Sequence, residues 1–95
     1  MAHYYEQYEI RNSALPLEYP KSQVYTLSLE ALSLYKRTRF YEPSHDKDFV
    51  APGGVVMSVD AATGKVHVSG PGNNAMLMMH AKIFERNLIE RSKYL

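Results

Sequence analysis

Gly53-Gly54-Val55-Val56-Met57-Ser58-Val59-Asp60-Ala61-Ala62-Thr63-Gly64-Lys65-Val66-His67-Val68-Ser69-Gly70 sets two β-branched runs on either side of a polar turn. That is the pattern of an antiparallel hairpin. Val55, Met57 and Val59 alternate onto one face of the first strand, and Val66 and Val68 onto one face of the second, with His67 opposite. The loop from Asp60 to Lys65 is long enough for a type I turn closed by Gly64 at positive φ. Behind the hairpin, Pro71-Gly72-Asn73-Asn74 is a stop-and-start signal, and an apolar, methionine-rich helix follows from Ala75. Its core stripe is Leu77, Ala81, Phe84 and Leu88, with Met76, Met79 and Ile83 forming a second stripe beside it. Its second half carries Glu85, Arg86, Glu90, Arg91 and Lys93 and reads as solvated, with Arg86 and Glu90 at i, i+4 spacing.

Upstream of the hairpin, residues 23–42 contain a helix with two possible starts. Ser28 can cap it, with Leu27 and Leu32 as a hydrophobic staple and Glu30 in the first turn, which makes residues 23–27 a short strand. Alternatively Pro20 opens one long helix through Val24, Leu27, Ala31, Leu34 and Tyr35. Under either reading Lys36, Arg37 and Arg39 fall in the last turns and Pro43 stops the helix. Residues 43–54 read as a polar loop returning the chain to the hairpin. Residues 1–21 read as an extended arm, because Tyr4, Tyr8 and Ile10 alternate and Pro16 and Pro20 prevent a full strand ladder.

These elements predict one α+β domain over residues 1–95: a small two-layer fold with an extended N-terminal arm, a helix, an antiparallel β-hairpin and a C-terminal helix. A lone hairpin is marginal, so the sheet must gain strands from the N-terminal segment, from residues 23–27 or from a second subunit. A homodimer or larger assembly is therefore expected.

With 95 residues the chain has a modest core of its own. It has no cysteine, which removes disulfides, thiolate nucleophiles and cysteine zinc sites. The N-terminus has no apolar run of signal-peptide length and no segment suits a membrane span, so a soluble, cytoplasmic protein without membrane contact is expected. A net charge of +1 is too small to imply nucleic-acid binding from bulk electrostatics.

Three groups of residues are candidate sites. Tyr4, Tyr5 and Tyr8, with Met76, Met78 and Met79, offer amphipathic and adaptable apolar contacts to a protein partner. Met78 falls outside both helical stripes and is singled out for an interface. Lys36, Arg37 and Arg39 beside Tyr41, and Arg86, Arg91 and Lys93, interleave cations with aromatics as single-stranded nucleic-acid binders do. Gly70, Gly72, Asn73 and Asn74 precede a helix, where free N–H groups suit an anion such as a nucleotide phosphate, although capping and turn chemistry explain the same residues. His45, Asp46 and Asp48 have the composition of a metal loop, but three flexible ligands do not make a site, and neither metal nor cofactor is expected. No spacing marks a nucleophile with its base and orienting group. The hairpin ending Gly64-Lys65-Val66-His67-Val68-Ser69-Gly70, followed by a helix, resembles in outline a half-repeat of the TATA-binding protein or a KH-type domain. It lacks a Gly-x-x-Gly loop between helices and a second copy of the repeat, so no function is carried over.

The leading expectation is a non-catalytic binding protein, an assembly, regulatory or accessory subunit of phage or bacterial type. An RNA or DNA binder and a small-ligand binder are the alternatives. For the fold itself, a β-branched residue at the turn glycine is the sharpest test. Gly64→Val is expected to lower stability by about 1–3 kcal/mol, read from the denaturant midpoint, through strain at positive φ.

Overall fold

The computed structural model describes residues 7–13 and 22–91. In chain order these form β1 (Glu9–Asn12), β2 (Gln23–Thr26), α1 (Leu29–Tyr35), β3 (Lys47–Val50), β4 (Val56–Asp60), β5 (Lys65–Ser69) and α2 (Asn74–Arg91). The fold is α+β. One five-stranded, wholly antiparallel sheet has the order β1-β3-β4-β5-β2. Tyr35 of α1 and Phe84 of α2 both pack on Phe49 of β3, so the two helices share one face of that sheet.

The hairpin is β4–β5, with Met57 opposite Val68 and Val59 opposite Val66. All four side chains are fully buried. Gly64 has φ +78°, and a Cβ there would lie 3.1 Å from Leu32 of α1, so the turn needs glycine both for its backbone and for the helix resting on it. Asp60 shapes the rest of the turn: its backbone carbonyl accepts from Gly64 N–H at 2.8 Å and its carboxylate from Ala62 N–H at 3.1 Å. At the other end of the hairpin a Cβ on Gly70 would meet the Gly54 carbonyl oxygen at 2.9 Å. The chain after β5 therefore crosses close over the entry to β4.

Two readings of the sequence change and two are narrowed. Residues 47–50, placed in the polar loop, form β3, an interior strand between β1 and β4. Within residues 1–21, Glu9–Asn12 form the edge strand β1, while residues 1–6 and 14–21 lie outside the described residues. The helix begins at Leu29, capped by Ser28, whose Oγ accepts from Ala31 N–H. That leaves Gln23–Thr26 as β2 and excludes the long helix from Pro20. The helix also ends early, at Tyr35, so Lys36, Arg37 and Arg39 lie beyond it rather than in its last turns. Thr38 accounts for the stop, because its N–H and its hydroxyl both donate to the Tyr35 carbonyl, at 2.9 and 2.7 Å.

The sheet is thus completed from within one chain, by β3 beside β4 and β2 beside β5, and incompleteness no longer argues for a second subunit. Its core is aromatic at the centre. Phe49 is surrounded by Phe84 (5.0 Å between centroids), Phe40 (5.8 Å), Tyr8 (6.0 Å) and Tyr35 (6.2 Å). Truncating that ring removes contacts with α1, α2, the loop after α1 and the N-terminal segment together. Phe49→Ala is expected to cost about 3–5 kcal/mol by chemical denaturation, the range for a fully buried phenylalanine, whereas a loss below about 1 kcal/mol would show that the residue is peripheral.

Candidate functional site

The helical layer is closed by Glu85, which projects from α2 toward β2 and the start of α1. Its Oε1 accepts from the Tyr25 hydroxyl at 2.5 Å and its Oε2 from Ser28 N–H at 2.8 Å. In a capping box the residue three past the cap supplies a carboxylate to the cap N–H. Here that residue is Ala31, and Glu85 of the neighbouring helix makes the bond instead. The hydrogen bond to Glu85 pushes the Tyr25 pKa up to about 12. Glu85 is therefore a structural tie, although the sequence alone places it on a solvated face.

On the same face, at the start of β3, Lys47 stands opposite the buried Val59 and is 7% exposed. Its Nζ donates to Glu42 Oε1 at 2.8 Å and to Asn12 Oδ1. The Lys47 ammonium holds the Glu42 carboxyl below its usual value. Burial moves two other groups toward their neutral forms, raising Asp46 and lowering His67.

Beside Glu42 an open cleft of about 220 Å³ is lined by Lys36, Tyr41, His45, Asp46 and the turn residues Ala61 and Ala62, among others. It falls short of the roughly 300 Å³ at which small-molecule sites begin. Its groups do not form a catalytic set. Ser44 Oγ lies 2.9 Å from His45 Nδ1, and Glu42 Oε2 lies 3.7 Å from that same nitrogen, whereas a relay needs the two partners on different ring nitrogens. Asp46 is spent on Ala61 N–H at 3.3 Å. Asp48 points to the opposite face of the sheet, accepting from Ser13 Oγ at 2.7 Å and facing Arg11 at 3.5 Å. Among the described residues no three His, Asp or Glu side chains come close enough to hold a metal ion.

The anion candidates are turn and cap. Asn73 Oδ1 accepts from Met76 N–H at 2.9 Å, Gly70 and Gly72 have φ of +125° and +119°, and the cleft lies at the far end of β5 from all of them. Of the basic and aromatic candidates, Tyr41, Arg39 and Arg86 make contacts. Tyr41 packs its ring on Tyr35 at 6.1 Å, Arg39 stacks on Phe40 at 5.1 Å, Lys36 shares its cleft with Glu42 and Asp46, and Arg86 sits 4.0 Å from Glu90. Arg37 is exposed, Arg91 is half-buried at the end of α2, and Lys93 lies outside the described residues.

Of the partner candidates, Tyr4 and Tyr5 lie outside the described residues, and Tyr8 is committed to Phe49. The methionines divide the other way from the sequence reading. Met78 is half-buried, while Met76 and Met79 are 51% and 57% exposed. With half-buried Ile83 they follow i, i+3, i+7 along one side of α2, away from the buried Leu77, Ala81, Phe84 and Leu88. Two further exposed apolar residues, Val24 on β2 and Leu29 at the first position of α1, were not anticipated. Their signal is weak: Val24 adjoins the inward-turned Tyr25, and Leu29 stands two residues after the buried Leu27. Among the described residues no helix is long and apolar enough to cross a membrane.

No family model matches the chain. No curated protein and no solved structure matches it either.

The Tyr25–Glu85 bond gives a pH signature. A tyrosine whose pKa rises from 10.0 to about 12 on folding contributes stability that is complete below pH 10 and is lost as pH rises through about 12. The stability gap between the wild type and Tyr25→Phe, followed by denaturant midpoints, is expected to narrow across that window. A constant gap would contradict the bond.

Proposed function

We propose that this chain is a non-catalytic binding protein, an assembly, regulatory or accessory subunit of phage or bacterial type that works in the cytoplasm through protein–protein contacts and self-association. The observation that carries the reading is the row on α2 formed by exposed Met76 and Met79 with half-buried Ile83. A helix already anchored by four buried residues does not depend on two methionines more than half exposed to hold its place. Unbranched thioether side chains adapt to a partner's contours at little strain, which suits a docking surface. The polar groups elsewhere support the same reading, because Glu85, Lys47, Asp46 and Asp48 are each spent on structural bonds.

The double change Met76→Glu, Met79→Glu separates docking from folding. Stability is expected to stay within about 0.5 kcal/mol of the wild type, as for other surface changes. Proteins recovered by affinity capture from the source cell and identified by mass spectrometry are expected to be lost from the variant. Equal recovery by both forms, or recovery of nothing beyond the chain itself, would overturn the reading.

A further inference from the structure

The two edges of the sheet are unlike. β1, at one edge, carries Glu9 and Arg11, the charged residues with which proteins discourage edge pairing. β2, at the other, reads Gln23-Val24-Tyr25-Thr26, with no charge, no proline and no glycine. Its Val24 is 45% exposed.

The hydrogen-bond parity of β2 follows from the register. Leu27 N–H donates to the Gly64 carbonyl at 2.8 Å, continuing the ladder in which Tyr25 stands opposite Val66 and Gln23 opposite Val68. In an antiparallel ladder only alternate residues bond to a given neighbour. Leu27, Tyr25 and Gln23 therefore turn their backbone groups to β5, while Val24 and Thr26 turn theirs outward. Among the described residues β2 has no strand on that side.

We infer that β2 pairs antiparallel with β2 of a second copy of this chain, across a two-fold axis at Val24, so that two five-stranded sheets become one. An axis perpendicular to the sheet keeps each face on its own side, so a residue can meet only one on the same face. Centring on Val24 satisfies this at every position. Val24 meets its own counterpart in a doubly hydrogen-bonded pair, Gln23 meets Tyr25 on the helical side, and Thr26 stands opposite Ser22. The contact is isologous, brings no like charges together within the strand and covers the exposed valine. A second copy is the occupant because the same short, neutral strand supplies both halves of this match. The proposal uses a different surface from the methionine row and stands or falls separately from it.

The test is mass in solution by sedimentation equilibrium, from about 1 to about 200 μM, for the wild type, Val24→Pro and Val24→Lys. Proline at position 24 removes only an outward N–H, which an edge strand tolerates, and lysine sets two cations on the axis. The wild type is expected to become dimeric over this range, with the Val24 and Thr26 amides gaining hydrogen-exchange protection as it does. Both variants are expected to stay monomeric with wild-type circular dichroism, and Val24→Lys decides the matter should the proline variant misfold. A wild type that stays monomeric throughout, or a lysine variant that dimerises as readily as the wild type, would overturn the pairing.

Discussion

The ring of Phe49 is the point on which the rest of the molecule is built. It stands on an interior strand, fully buried, and four other rings converge on it at centroid distances between 5.0 and 6.2 Å. Those rings come from α2, from α1, from the loop after α1 and from the segment before β1. Aromatic rings in tilted and edge-to-face contact bury large areas at low entropic cost, which matters in a chain of 95 residues. The same requirement explains why α1 is short. Phe40 must reach Phe49, and a helix continued past Tyr35 would carry it away along the helix axis, so Thr38 draws the chain out of the helix.

Polar side chains then close the margins of that core. Glu85 ties α2 to β2 and to the cap of α1, and Lys47 lays its aliphatic stem along the helical side of the sheet while its ammonium reaches Glu42 and Asn12. On the opposite face the register aligns Arg11, Asp48, Ser58 and His67 across four strands. This is a polar row with an ion pair at one end. Apart from these groups, Val24, Leu29, Met76 and Met79 are large apolar side chains that point outward. Those outward apolar side chains are what the proposed binding role rests on.

The parts legible in the sequence are those with local causes. The β4–β5 hairpin follows from alternation and from Gly64, the cap of α1 from Ser28 and its staple, and the buried stripe of α2 from its 3.6-residue period. β3 was hidden because only one of its two inward positions is apolar. Lys47 occupies the other, so Lys47-Asp48-Phe49-Val50 reads as loop until Glu42 and Asn12 are seen to receive the ammonium. Glu85 was hidden because its partners lie 57 and 60 residues away. The exposed methionines belong to a second stripe in the sequence, but a stripe does not say which side of a helix a sheet will take. The outward valine of β2 depended on a pairing with β5 that no local pattern announces.

The central claim is that Lys47–Val50 is an interior strand around which the domain closes, and native-state hydrogen exchange tests it most directly. The amides of residues 47–50 are bonded to β1 or β4, so they are predicted to exchange only with global unfolding, at the same free energy as those of Met57 and Val59. Exchange of residues 47–50 at the rate of the exposed turn residues Pro52 to Gly54, read at Gly53, would contradict the account.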